Sequence, residues 1–470
     1  MPTTTRAIVL GCGAAGTLAA AALTGHVDEV MLLDRYPVPN GPGHRRGVPQ
    51  ARHTHVVSSR AAHAVEALLP GTTQRWIAAG ARRIGMPSGL VALTAQGWMR
   101  RWPSPHFVVA CSRDLLDWVV REQVVAHPAV TLRTGLQAVG LTGNARRVTG
   151  VQVRDGHTGQ TTEWNADFVI DATGRGSQAP HWLARLGLPI VREETIDCGL
   201  AYATRCYRPP AGAGPEVPLV SITADPRSGR PGQGALLLPI EGNRWQVTLG
   251  GTRGGEPPTD TETFADFARG VRHPIVANLL ATAEPLGPVH YSRSTSNRRR
   301  YFERLRPWPD GFVVLGDAVA AYNPVYGQGL TVAACGAVAL DDALRDGGLA
   351  AGTAHAVQRA ITRPVAGAWA TAAGQDAFYP GATGPRPTAA ARMLQRYMDR
   401  LIRTTATSPT VAEAFFDAIT LSRPLTCLAA PKVAASTLRG PTRRPPSGPP
   451  FSSTERRCLG LLPPDRYDCA

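Results

Sequence analysis

Two glycine-rich turns, 305 residues apart, carry the residue types that would build a cradle for phosphate and polyol groups. The first is Gly11-Cys12-Gly13-Ala14-Ala15-Gly16. It follows the apolar run Ala7 to Leu10 and opens an alanine-rich stretch, and a second apolar run, Val30 to Leu33, ends at Asp34, 18 residues beyond Gly16. Gly11 permits a tight turn, Gly13 lets the backbone approach a pyrophosphate, and Gly16 lets a helix pack closely on a strand. The free N–H groups of the new helix, Ala14 and Ala15 among them, face the phosphates, and Asp34 stands where an acid accepts a ribose hydroxyl. By itself this fingerprint fits FAD or NAD. The second turn follows the apolar run Phe312 to Leu315: Gly316-Asp317, then Pro324 and Gly327-Gln328-Gly329. Asp317 at a strand's carboxyl end is placed to accept hydroxyl hydrogen bonds from a chain such as ribityl. Gly327 and Gly329 bring bare N–H groups and a positive helix end against a ligand, which would stabilise a flavin reduced to its N1 anion. A nicotinamide enzyme needs no second cradle, so the pair points to FAD.

Three further positions could touch the same ligand. Arg52 lies in the irregular segment PVPNGPGHRRGVPQARHTHVV, where it either reaches a cofactor phosphate or is a solvated loop arginine; His53 and His55 beside it read as hydrogen-bonded loop residues. Arg113 falls in the first turn of a predicted helix, unfavourable for a cation unless an anion is near. Gly174 belongs to Asp171-Ala172-Thr173-Gly174, where a strand again ends in an acid and a bare turn. No nucleophile triad, carboxylate pair or metal-ligand spacing appears, so no catalytic side chain and no metal site is named.

The elements that must position these residues divide the chain. An α/β fold is expected, with a Rossmann-like FAD-binding domain interleaved with an antiparallel-sheet substrate domain, and a C-terminal helical region. The FAD-binding parts are residues 1–81, 112–180 and 293–345, and the substrate domain takes strands from 82–111 and the sheet of 181–292. The helical region covers 346–440, and a proline-rich tail, 441–470, is expected to be disordered. Helices are predicted at about 58–69, 112–126 (Ser112 as N-cap) and 330–344. Short strands are expected at 130–132, 148–153 and 168–170, and 241–244 reads as a hairpin turn. Met393, Leu394, Tyr397, Met398, Leu401 and Ile402 form one stripe opposite Arg392, Arg396, Arg400 and Arg403. Docking on the protein's own core is the simpler reading of that helix, a membrane surface the other.

Length and composition fit a globular protein of two or three domains. The net charge is +15, but the only lysine is Lys432; the arginine bias reads as a coding bias rather than a nucleic-acid surface. The six arginines between Arg293 and Arg306 are read as a solvated or phosphate-adjacent connector. Eight cysteines without C-x-x-C spacing suggest free thiols and a cytoplasmic setting. Arg6 before an apolar stretch mimics a signal peptide, but the glycines argue for a folded start. No run approaches a transmembrane span.

Taken together, G-C-G-A-A-G, D-A-T-G and G-D-A…N-P-V-Y-G-Q-G-L resemble the single-component FAD-dependent monooxygenases of the para-hydroxybenzoate hydroxylase-like fold. The stretches GVPQARHTHVV, SRDLLDWVVR, DATGRGSQAPHWLARLG, LPIEGNRWQVTLGG and NPVYGQGLTVA are similar to the flavin epoxidases of polyether antibiotic pathways, the lasalocid and monensin type. The resemblance spans about residues 5–440. It implies that Gly11, Gly13, Gly16, Asp34 and Arg35 hold the ADP half of FAD, that Arg52 and Arg113 contact the cofactor, that Asp317 holds the ribityl or pyrophosphate, and that Gly327 to Gly329 hold the ring. It further implies epoxidation of a lipophilic, polyketide-derived alkene by O2 through a flavin C4a-hydroperoxide. Electrons would come from NAD(P)H, directly or through a partner reductase. Val319 and Thr173 depart from the histidine and aspartate that aromatic hydroxylases carry, and the aspartate helps bind NADPH there. The sheet of 196–252 is expected to roof the flavin with an apolar pocket. Hydroxylation of another natural product, reduction of prenyl chains and a non-catalytic flavin-binding redox module are the alternatives.

Overall fold

The computed structural model describes residues 4–214 and 217–461. At its centre is a five-stranded parallel sheet, in the order Phe312–Val314, Phe168–Asp171, Arg6–Leu10, Glu29–Asp34, Val130–Thr134. Its central strands are almost continuously apolar because the sheet is covered, as parallel sheets require, by helices and also by strands Leu136–Gly143 and Val148–Asp155. Ala14–Leu23 and Gly329–Gly347 pack on each other and on Arg113–Val125 and Ser59–Leu68. The alanine-rich sequence of the first helix suits this burial: nearly all of it is inaccessible. Its closest approach is at Gly16, where a Cβ would lie 1.8 Å from the Gly11 carbonyl oxygen.

A second, seven-stranded sheet runs Glu284–Ser292, Ala201–Arg208, Arg244–Gly251, Gln233–Ile240, Leu219–Ile222, Leu90–Thr94, Gly97–Trp98. All neighbours are antiparallel except Leu219–Ile222 with Leu90–Thr94. The expected turn at 241–244 joins two of its strands, with Gly242 and Asn243 both at positive φ. The rest of the 82–111 segment goes elsewhere: Phe107–Ala110 pairs with Val56–Ser58 on one side and Arg82–Gly85 on the other in a separate small sheet. The α/β class, with its parallel and antiparallel sheets and trailing helices, is as the sequence predicts. The predicted helices at 58–69, 112–126 and 330–344 form within two or three residues of those limits, and Ser112 does cap the second, accepting from the Leu115 N–H.

Four expectations need correction. Strands Leu136–Gly143 and Thr161–Asn165, which flank Val148–Asp155 in a meander, carry too little alternation to be read from sequence. The arginine-rich connector is solvated only in part: Arg293, Arg304 and Arg306 are exposed, but Asn297–Arg300 pairs with Glu193–Ile196, and buried Arg299 and Arg300 are matched by Glu303 and Glu193. Helix Ala389–Thr405 does dock, burying Leu401, but Met393 and Leu394 stay 73% and 61% exposed. Its inward face there carries Gln395 and Asp399, which bond to Gln375 and Arg227, and those polar contacts set the helix's rotation. The fourth concerns the tail. Residues 441–461 are anchored at Phe451, Glu455 and Leu459, which are buried, while 462–470 lie outside the described residues. Phe451 and Leu459 enter the core behind the seven-stranded sheet, helix Ser453–Cys458 starts on a Ser452/Glu455 capping box, and Glu455 takes a two-pronged bond from Arg101. Proline-rich composition lowers regular structure but also lowers the entropy lost on ordering, so two apolar anchors and one buried ion pair suffice. Among the described residues no helix is long and apolar enough to cross a membrane.

Removing one partner of so enclosed an ion pair is costly. Glu455→Ala should therefore lower the free energy of unfolding by about 2–4 kcal/mol in a chemical denaturation series; an unchanged midpoint would mean that the tail is not docked in solution.

Candidate functional site

The carboxyl ends of strands Arg6–Leu10, Phe168–Asp171 and Phe312–Val314 lie side by side, and the turns that leave them meet. A Cβ on Gly316 would come within 2.6 Å of the Ala15 Cβ, so the two glycine-rich turns are in direct contact. A Cβ on Gly329 would lie 3.8 Å from Asp317 Oδ1, and one on Gly174 would lie 4.0 Å from the Asp317 Cβ. Gly174, Asp317 and Gly329, from three distant segments, therefore surround one point. Beside Gly13 a Cβ would meet nothing within 4 Å, so the backbone there borders open space. Asp171, fully buried, is a builder of this geometry: it accepts from the Thr173 N–H and hydroxyl and from the Ser177 hydroxyl, which fixes the turn carrying Gly174.

Asp317 is the acceptor without a donor. No hydrogen bond from any described residue reaches its carboxylate. Burial raises its pKa, while Arg175, Arg113 and Arg298 pull it back. Arg175 is held rigidly by the Ser296 and Tyr322 carbonyls. A carboxylate with charge support but no direct donor suits incoming hydroxyls.

Asp34 is differently placed. Its Oδ2 accepts the Cys12 N–H at 2.8 Å and Arg45 at 2.7 Å, and its Oδ1 accepts the Tyr36 N–H at 2.9 Å. With about four lone-pair sites on a carboxylate, little capacity is left for a ribose hydroxyl. Arg45, missed in the sequence, also bonds the Cys12 carbonyl, and its buried Nε has no protein partner. The long loop gave no sign of this, since nothing in PVPNGPGHRRGVPQ distinguishes Arg45 from its neighbours. Arg35 is exposed and lies over the Tyr36 ring, with Arg46 on it as well.

Arg52 is also exposed and contacts His290 Nε2 at 3.1 Å. For Arg113 the anion anticipated at the helix start is present in the chain itself: Asp117, one turn on, takes its Nε–H at 2.8 Å. The i,i+4 pair was readable, and it removes the need to invoke a phosphate there.

Pro324 to Tyr326 form a short 3-10 turn, Gly327 follows in the left-handed region, and Gln328 caps helix Gly329–Gly347. Buried Gln328 donates to the Ile419 carbonyl at 3.0 Å, and its Oε1 has no partner.

The face of the seven-stranded sheet turned toward these loops is not uniformly apolar, contrary to expectation. His53 Nδ1 bonds the Thr204 hydroxyl at 2.8 Å, Thr204 bonds Thr248 at 2.6 Å, Thr54 also reaches Thr248, and Gln246 reaches the Arg52 carbonyl. The apolar share lies farther along the sheet. There Leu236, Val56, Met86, Phe415 and Ile419 are only partly covered and pack against buried Ile84, Leu90, Leu238 and Phe416. A separate cavity of about 510 Å³, lined by Gln137, Gln178, His181 and Trp182 among others, borders none of these residues.

The family described as "FAD binding domain" matches residues 4–347. The chain is 29% identical over 421 residues to Protein Rv3254 of Mycobacterium tuberculosis, covering 87% of this chain and 88% of that one. Its fold is similar to that of CmlS, a flavin-dependent halogenase, with TM-score 0.58, 17% identity, and 90% of this chain and 77% of that chain covered. It is also similar to pqsL of Pseudomonas aeruginosa, described as "a probable FAD-dependent monooxygenase", with TM-score 0.54, 18% identity, and 79% and 93% covered.

His53 offers a test of the inner face. Burial, and then His290, depress its pKa to about 4, so it stays neutral when folded at pH values where an unfolded histidine is protonated. The unfolded chain then binds more protons between about pH 6.5 and 4, and stability is present above that window and lost as pH falls through it. Between pH 7.5 and 5 this residue should contribute up to about 2 kcal/mol of the loss. His53→Gln should make the denaturation midpoint less pH-dependent across that range; an equal slope in both proteins would place a charged His53 in the folded state.

Proposed function

Because the chain belongs to the FAD binding domain family, a family of FAD-dependent oxidoreductases, we propose that it is an FAD-dependent monooxygenase that epoxidises carbon–carbon double bonds of a lipophilic, polyketide-derived substrate. The residues fit the cofactor: an open backbone at Gly13, a buried Arg45 Nε–H without partner, a donorless Asp317 and an unpartnered Gln328 Oε1 are the groups a dinucleotide flavin would complete. When bound and reduced by NAD(P)H or a reductase, FAD supplies O2 activation and an electrophilic oxygen atom.

The chain's part is to bind, orient and exclude water. Gly13, Ala14, Ala15 and Gly16 would present N–H groups to the pyrophosphate across the tight turn at Gly11, whose own N–H is taken by the Leu33 carbonyl; Arg35, Arg45 and the one acceptor site left on Asp34 would face the adenosine. Arg52 and Arg113 would supply positive charge. Asp317 and Gly174 would take the ribityl side. Pro324, Gly327, Gln328 and Gly329 would carry the ring, with the N-terminus of helix Gly329–Gly347 favouring negative charge on it.

The observation that carries the substrate class is the half-open apolar group at this loop. Val56 Cγ2 lies 3.7 Å from where a Gly327 Cβ would be, and Ile419 is bonded through its carbonyl to Gln328. Phe415, Met86 and Leu236 extend the patch away from the polar threonine cluster. Such a surface suits an alkyl or polyene chain better than a charged aromatic ring, and transfer of an electrophilic oxygen to an alkene requires no acid–base side chain. A lysine-borne halogenating species has no candidate here, since Lys432, the only lysine, lies on the outlying helix Pro431–Arg439.

Reaction of the purified flavoprotein with candidate polyenes under 18O2 should place one labelled atom per epoxide. A saturated, unlabelled product would instead make it an alkene reductase, a labelled alcohol a hydroxylase, and absence of turnover a redox module. For the cofactor assignment, Asp317→Ala should weaken FAD binding about 100-fold by fluorescence titration, the loss of one or two charge-assisted hydrogen bonds, while the apoprotein remains folded. Undiminished affinity would remove Asp317 from the cofactor site.

A further inference from the structure

Asp376 is the last residue of helix Thr362–Asp376, in the region beyond the matched domain, and it is 1% exposed. Its position is doubly unfavourable for an acid. Burial disfavours the charge, and the carboxyl end of a helix repels it. What compensates is a set of convergent donors. Asn297 Nδ2 and Asn323 Nδ2 reach Oδ2 at 2.7 and 2.8 Å, and the Tyr326 hydroxyl reaches Oδ1 at 2.7 Å.

The donors are not random neighbours. Asn323 and Tyr326 bracket the Pro324–Tyr326 turn that delivers Gly327, Gln328 and Gly329. Asn323 Oδ1 accepts the Val325 N–H at 3.1 Å, which shapes that turn, and the Tyr202 hydroxyl from the seven-stranded sheet at 3.3 Å. The Asn323 N–H in turn bonds Asn297 Oδ1 at 2.8 Å. One carboxylate thus ties the loop at both ends to the arginine-rich strand, the sheet and the C-terminal helix.

We infer that Asp376 is a positioning residue for the flavin-ring loop, so that the C-terminal helical region completes a cofactor site whose contacting residues all lie in the matched domain. The inference rests on FAD binding and not on the identity of the oxidised substrate. Each of the three partners of Asp376, and the Cys198 thiol beside them, donates to the carboxylate, and these bonds oppose the rise in its pKa that burial causes. Asparagine in its place would turn one amide N–H toward another donor.

The test is FAD affinity and the visible circular dichroism of bound flavin in the full-length protein, with thermal unfolding of each apoprotein measured alongside. Asp376→Asn should raise the FAD dissociation constant about tenfold, and Tyr326→Phe, which deletes a single donor, should raise it about threefold. Both should alter the flavin dichroism at temperatures where the apoproteins are fully folded. A role confined to stability would lower the unfolding temperature but leave affinity and dichroism at wild-type values; that result in either folded variant overturns the inference. Should Asp376→Asn fail to fold, Tyr326→Phe still decides it. A wild-type protein that takes up no FAD would overturn the cofactor assignment itself.

Discussion

The backbone hydrogen bonds that hold Phe312–Val314 against Phe168–Asp171, and that strand against Arg6–Leu10, are the interaction on which the site depends. Parallel pairing forces all three strands to release their chains at the same edge, and short turns of small residues let the following segments stay there. Without that register Gly11 does not lie against the Ala172 carbonyl, Gly316 does not meet Ala15, and Asp317 does not face Gly174 and Gly329. The glycines are consequences of the crowding. Three turns cannot share one edge if their backbones carry side chains at the points of contact.

Charge is organised around the same edge. Asp34, Asp117, Asp317 and Asp376 are each drawn out of water to a different degree, and each is answered differently. Asp34 and Asp117 have guanidinium partners at bonding distance; Asp376 has neutral donors only; Asp317 has three guanidinium groups in its field and no donor at all. That gradation separates roles. A carboxylate whose bonds are all made within the chain holds structure, whereas one supported only at a distance keeps its acceptor sites for something else.

How far the sequence revealed this follows from the range of each interaction. The fingerprint, the second glycine-rich turn and the caps of the helices are local patterns, and their physical causes lie within a few residues, so they could be read directly. Ser112 is an instance: its hydroxyl acts on a backbone three residues away. Arg45 on Asp34, Arg101 on Glu455 and Asp376 on Asn323 and Tyr326 join segments that only the tertiary fold brings together, and no periodicity marks them. The mixed polarity of the sheet's inner face escaped for a related reason. Alternation shows that Tyr202, Thr204, Gln246 and Thr248 share a side with Leu236 and Leu238, but not that the polar half meets His53 and Thr54.

The arginine excess gains a physical meaning in this setting. Arg45, Arg113, Arg121, Arg299 and Arg300 are buried. An ammonium group in such places would shed its proton readily, whereas a guanidinium keeps its charge and spends its planar fork on carbonyls and carboxylates. Arg45 does both at once, holding Cys12 and Asp34 together, and Arg300 does so on the Ser177 and Ala318 carbonyls and Glu193. A coding bias toward arginine is therefore compatible with, and exploited by, a fold that must keep positive charge permanently in its interior. The consequence for the cleft is electrostatic: burial raises the pKa of the Asp317 carboxyl, and Arg175, Arg113 and Arg298 oppose that rise from a distance, leaving its oxygens free of donors from the chain.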